Sequence, residues 1–227
     1  MIALFVGAMD SEIKFIKSQL TDVIEEEKGG FTFYLGKIDS KKIILVKSGI
    51  GRVMSGILIA VAKNYYDFDC VINIGLAGGA PGTKLGDVIV GTSYVYGDVD
   101  ITSGGFGYEY GQMAACPRVF KTGLDTKKLI DSCYPRGTMC TCDSFTTSID
   151  FVNKLQKEYF NDLDIKCYDM ESAAFAQSCY FYNIPFLAIR SISDVIGSEF
   201  QSEDYQKNEI LGGIELNKVI LEIINNL

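Results

Sequence analysis

The stretch "CVINIGLAGGAPGTKLGDVIV", residues 70–90, decides the architecture. Residues 70–75 form a short, almost wholly apolar run, the pattern of a strand covered on both faces. The segment after it has the glycine density of a dinucleotide loop. Such a loop must open directly into a helix, so that backbone N–H groups at the helix start can hold a pyrophosphate. Here Pro81, Gly82 and Thr83 lead instead into "LGDVIV", another strand, so a Rossmann site is rejected. Two readings of Gly75, Gly78 and Gly79 stay open: a plain tight turn, or a backbone that a small ligand approaches closely.

Outward from this stretch, strands alternate with helices. Residues 2–6 read as a first strand with a turn at 7–9, and 12–20 as a helix with Ile13, Phe15, Ile16 and Leu20 apolar. Residues 31–38 and 42–47 are β-rich runs joined by "DSKK", a hairpin pattern. Residues 51–65 predict a buried helix, and "DVIVGTSYVYGDV" (87–99) a strand. The 101–117 segment is irregular and rich in Gly and Tyr. Helices at 126–133 and 148–159 flank a strand at 137–141. "MESAAFAQSCYFY" reads as a helix starting at or just before Met170, residues 186–192 as a strand, and 205–226 as a terminal helix carrying Ile210, Ile214, Val219 and Ile223. Alternation throughout, without linker or repeat, predicts one α/β sandwich around a central sheet.

Composition narrows the chemistry. The 227 residues are 48% apolar, enough for a sizeable core, and carry a net charge of −8. That balance argues against nucleic-acid or anionic-membrane partners, which need clustered cations. No apolar run is long enough to span a bilayer. "MIALFVGAM" is too short for a signal segment, so a cytoplasmic location is expected. Seven scattered cysteines do not suggest a disulfide framework, and the Cys140/Cys142 pair has neither a second pair nor a histidine to complete a metal site. Neither metal nor cofactor is expected. With no histidine in the chain, acid–base work must fall to Asp, Glu, Lys, Tyr or Cys.

Ligands of open α/β sheets bind outside the C-terminal ends of strands. Four such ends carry unusual residues: "GAMDSE" with Glu12, "SGIGR" with Arg52, "GLAGGAPG", and "RSISD" with Arg190, Ser193 and Asp194. "MESA" adds Glu171 at a helix start. Each carboxylate has a simpler reading, a helix N-terminal anion favoured by the dipole or a cap. Their convergence on one expected cleft favours a site.

Together, "GAMDSE", "SGIGR", "NIGLAGGAPGTKLGDVIV", "FGYEYGQM", "DMESAAFAQ" and "FLAIRSISDV" resemble, nearly end to end, the 5′-methylthioadenosine/S-adenosylhomocysteine nucleosidases of the purine nucleoside phosphorylase superfamily. The resemblance implies a nucleoside phosphorylase-like three-layer α/β/α sandwich around a central mixed sheet, with residues 1–227 as one domain. It implies hydrolysis of an adenine–ribose N-glycosidic bond in a small-molecule adenine nucleoside, and a homodimer. Asp194 matches the carboxyl that protonates adenine N7, and Ser193 its positioning hydroxyl. Glu12 matches the carboxylate that activates water, with Arg190 close by. Glu171 matches the ribose-hydroxyl ligand, with Met170 beneath the sugar. Phe145 matches the aromatic that stacks on adenine, and Thr146 the backbone that reads the base edge. Ala77 and Gly78 fall among the substrate-binding positions, Met9 and Ile50 on the wall around the 5′-thio group, and Phe106 on the loop that reaches a partner subunit's site.

The chemistry fits these assignments. Glycosidic cleavage passes through an oxocarbenium-like state, so two carboxyl groups in different protonation states are useful. Asp194 must hold a proton, which requires burial or a like-charged neighbour, whereas Glu12 must be ionised, which Arg190 favours. Three positions depart from the family pattern: Leu76 stands where a serine is frequent, removing one polar contact, while about two extra residues before Phe106 and Ala114 in place of a proline bear on 5′-substituent preference. Rival readings are a nucleosidase for a related conjugate such as aminodeoxyfutalosine or 5′-deoxyadenosine, a nucleoside phosphorylase, and a non-catalytic nucleoside binder. A phosphorylase needs cations for phosphate, and only Arg52 lies near the anionic Asp10 and Glu12. A mere binder would be expected to lose Glu12 or Asp194.

Overall fold

The computed structural model describes residues 1–130, 133–199, 201 and 213–227. Strands β1 (Ile2–Gly7), β2 (Thr21–Lys28), β3 (Phe31–Ile38), β4 (Lys41–Lys47), β5 (Cys70–Gly79), β6 (Val88–Tyr96), β7 (Phe120–Lys121), β8 (Arg136–Thr141), β9 (Ile165–Asp169) and β10 (Phe186–Val195) share one mixed sheet. Helices α1 (Asp10–Gln19), α2 (Arg52–Tyr65), α3 (Thr126–Leu129), α4 (Ile149–Lys154), α5 (Ser172–Tyr182) and α6 (Gly213–Asn226) pack around it.

The apolar runs are buried on both faces, as their composition requires. Leu4 and Val6 of β1 pack with Leu58, Ile59 and Ala62 of α2 and Phe175 and Cys179 of α5. The intervening Ala3 and Phe5 pack with Ile13 and Ile16 of α1 and with Val219, Ile220 and Ile223 of α6. Each such large side chain removed from water contributes about 1.5–3 kcal/mol, so the two-sided core positions the strand ends firmly.

The expected central mixed sheet with helices packed on it is present, but in place of a plain three-layer sandwich part of the sheet closes on itself. β10 runs parallel to β5 and antiparallel to β6. β6 continues to β8, β8 to β9, and β9 returns to β5 through Gly78–Tyr168 and Gly79–Cys167. Five strands thus close into a ring, and β1, β4, β3 and β2 extend from β5 as an arm. Closure explains why β5 and β10 run beyond the apolar stretches seen in the sequence. Gly78 and Gly79 of β5 have strand partners on both sides.

Several boundaries differ from expectation. α2 is buried on one face only: Val53 and Ile57, one turn apart, are 73% and 46% exposed. The helix expected at 126–133 stops at Leu129, because Ile130 turns extended and buries its side chain beside α6. The helix expected at 148–159 ends as α4 at Lys154 and widens into a π-turn, Leu155–Tyr159, with Gln156 bonding to the Phe160 and Leu163 carbonyls. α5 begins at Ser172, leaving Met170 and Glu171 in the preceding turn. Of the terminal helix, residues 213–226 are observed, whereas 205–212 with Ile210 lie outside the described residues. β2, an exposed acidic strand, and β9 had no legible pattern. Among the described residues no helix is long and apolar enough to cross a membrane.

Candidate active site

The ends of β1, β5 and β10, the turn before α5 and the 144–146 loop meet around an open cleft of about 590 Å³. Met9, Glu12, Ile50, Ala77, Gly78, Phe145, Thr146, Met170, Glu171, Ser193 and Asp194 all line it. Arg190 is buried away from its surface, at 1% exposure, and Phe106 stands outside it, 77% exposed on its loop.

Glu12 sits at the third position of α1. Its Oε2 accepts the backbone N–H groups of Ala8 (2.6 Å) and Met9 (3.0 Å). Reaching back to the helix-capping residue is a structural task, so the simpler helix-start reading also holds. Its Oε1 accepts the Leu76 N–H at 2.9 Å, across from β5. A Cβ at Gly75 would stand 2.5 Å from that oxygen, so Gly75 makes room for Glu12, not for a ligand. Gly78 lines the cleft, and a Cβ there would approach Asp194 Oδ2 at 3.2 Å. Burial raises the proton affinity of Glu12, against the opposing pull of Arg190 and the three N–H donors. Arg190 thus favours the ionised form of Glu12, as expected, but burial outweighs it.

Glu171 is 7% exposed and accepts the Gly51 N–H at 2.9 Å through Oε1. Burial, then the nearby Asp169 charge, push its carboxyl up to about 7, with Arg190 and Gly51 acting the other way. Asp194 is fully buried. Ser193 donates to its Oδ1 at 2.6 Å. Gln201 donates to its Oδ2 at 2.7 Å and to the Thr146 carbonyl at 2.9 Å.

Three residues escaped the sequence reading. Asp169 pairs with Arg190 at 2.9 Å, and Asn73 accepts from Arg190 at 2.5 Å while donating to the Val6 carbonyl. Asn73 did carry a signal: it is the lone polar side chain within "CVINI". Gln201 had none, since its partners lie 7 and 55 residues away. Arg52 is held by Asp98 (2.9 Å) and Asp143 (2.7 Å) and lies over the Tyr96 ring. Among the described residues no cluster of three or more His, Cys, Asp or Glu side chains is arranged to hold a metal.

This arrangement supplies a fully buried carboxyl group, a second carboxyl with raised proton affinity and a third placed beside a turn backbone, all facing one cleft with an aromatic wall. Comparisons with known proteins place the chain in a family. The phosphorylase superfamily profile matches residues 3–225. The 5′-methylthioadenosine/S-adenosylhomocysteine nucleosidase of Haemophilus influenzae (strain PittGG) is 35% identical over 98% of both chains. The crystal structure of the nucleosidase of that name from Colwellia psychrerythraea 34H, in complex with adenine, superposes with a TM-score of 0.90 at 32% identity, covering 100% of this chain and 96% of the other. The Streptococcus pneumoniae nucleosidase with the transition-state inhibitor MT-ImmA gives 0.90 at 31% identity, covering 100% and 99%. The chain belongs to the 5′-methylthioadenosine/S-adenosylhomocysteine nucleosidase family, within the phosphorylase superfamily.

Proposed function

We propose that this protein hydrolyses the N-glycosidic bond of 5′-methylthioadenosine and S-adenosylhomocysteine, releasing adenine and the 5′-thioribose product. The observation that carries the reading is the pairing, across one cleft, of Asp194, fully buried beside Ser193, with Glu12, desolvated yet bonded by three backbone N–H groups. Asp194 donates its proton to adenine N7 as the C1′–N9 bond breaks, so the base departs neutral. Glu12 takes a proton from water as the water oxygen bonds to C1′. The raised proton affinity of Glu12 suits that acceptance. Glu171 accepts the ribose hydroxyls with Met170 packed under the sugar. Phe145, 48% exposed at the cleft, stacks on the base, the Thr146 backbone reads its edge, and Ala77 and Gly78 allow its close approach. Met9 and Ile50 flank the 5′ substituent.

Water is the nucleophile because Arg52, the nearest candidate for phosphate, is already occupied by two aspartates. The whole chain works as one such unit, built as helix layers on either side of the sheet. Exposed Val53, Ile57 and Phe106 suit burial in a two-fold homodimer in which Phe106 completes the partner's site. The buried free thiols Cys70, Cys140, Cys142, Cys167 and Cys179 suit the reducing cytoplasm and a place in methionine salvage there.

The test is chromatography of methylthioadenosine incubated with the protein in phosphate-free buffer. Adenine and free methylthioribose are expected in equal amounts, unaffected by added phosphate. A sugar 1-phosphate, formed only when phosphate is present, would make the protein a phosphorylase.

A further inference from the structure

Asp169 divides its two oxygens between two halves of the site. Oδ1 accepts from Thr141 Oγ1 at 2.6 Å, from Ser172 N at 3.1 Å and from Glu171 N at 3.3 Å. It therefore caps the first turn of α5 and fixes the backbone from which Glu171 projects. Oδ2 accepts from Arg190 Nε at 3.0 Å and from Nη2 at 2.9 Å. The same Nη2 stands 4.0 Å from Glu171 Oε2. Both side chains of the Asp169–Arg190 pair are only 1% exposed, so water does not screen the contest for the guanidinium.

We infer that Asp169 is the positioning residue of the sugar-binding half of the site: it aims Glu171 through the start of α5 and holds Arg190 back from closing on Glu171. This rests on the nucleosidase reading for what Glu171 holds. Without Asp169, the buried guanidinium has one other carboxylate within 4 Å among the described residues, and that is Glu171. A Glu171 clamped by Arg190 is no longer open to ribose hydroxyls. The base-binding half, Phe145, Thr146 and Asp194, is not bonded to Asp169 in any of these contacts. The charges facing Glu171 are Asp169 and Glu12, which favour its protonated form, and Arg190, which favours the ionised form, with the Gly51 N–H acting alongside Arg190.

Asp169→Asn keeps the size and removes the charge. In the ligand-free variant, the carbon-13 titration of the Glu171 carboxyl should move down from about 7 by about one pH unit or more. The methylthioadenosine KM should rise about tenfold, while the adenine Kd from calorimetry stays within about twofold. A folded variant with an unmoved Glu171 titration and an unchanged KM overturns the inference, as does equal loss of nucleoside and adenine binding. If Asp169→Asn does not fold, Asp169→Glu decides. It keeps the charge but pushes the guanidinium toward Glu171, so KM must rise at constant adenine Kd, and an unchanged KM overturns the inference. The Glu171 titration requires no turnover. A parent protein that releases no adenine therefore sinks the nucleosidase reading, while the titration still decides the placement of Asp169.

Discussion

Gln201 Nε2 stands 2.7 Å from Asp194 Oδ2 and 2.9 Å from the Thr146 carbonyl oxygen, so one carboxamide ties the end of β10 to the loop that carries Phe145. Its own Oε1 accepts the Gly197 N–H at 3.2 Å.

Truncating this tie should be felt in turnover. Gln201→Ala removes a hydrogen bond to a carboxyl group, worth about 1–2 kcal/mol, and should lower kcat for methylthioadenosine about tenfold. Adenine binding, which the proposal assigns to Phe145 stacking, should change little. Full activity in the variant would show that Asp194 does not depend on Gln201 for its orientation.

The two carboxyl groups proposed as acid and base, Asp194 and Glu12, are separable by leaving group. Asp194→Asn cannot protonate N7, which should cost ~10²–10⁴ in rate, or about 3–5 kcal/mol. Glu12→Gln should lose a similar factor because its water is no longer activated. On a nitrophenyl riboside, whose leaving group needs no protonation, Asp194→Asn should lose much less, whereas Glu12→Gln stays impaired. Equal losses for both variants on both substrates would remove Asp194 as the leaving-group acid.

Glu171 makes stability depend on pH. Its carboxyl lies up at about 7 in the fold, against 4.5 for an unperturbed glutamate. Between these values the folded protein keeps a proton that the unfolded chain releases. Stability is therefore greatest below the lower value and falls as pH rises to the upper one. Glu171→Gln keeps an acceptor for the Gly51 N–H and removes the cost. At pH 8 it should be more stable than the parent by on the order of 2 kcal/mol, read as a higher Tm, and the two should converge near pH 4.5. A parent–variant difference that does not vary with pH would show that Glu171 does not titrate in this window.

Local patterns determined much of this protein. The apolar run at 70–75 followed by glycines and a second strand was enough to reject a dinucleotide loop, and both strands stand in the structure. Glu12, Glu171 and Asp194 were visible as carboxylates at element ends, because a charge beside an apolar run stands out in sequence, and all three line one cleft. Only the tertiary structure decided how that cleft is wired. Arg190 was expected close to Glu12, and its charge does act there, but its hydrogen bonds go to Asp169 and to Asn73, 117 residues away. The ring closes because β10 pairs with β5 and β6 together, and β9 joins it through a sequence with no alternating pattern. The physical reason is common to these cases. Periodicity records which face of a segment meets apolar surroundings, whereas hydrogen-bond partners, desolvation and the proton affinities they set depend on which distant segments the closed sheet brings within a few ångströms.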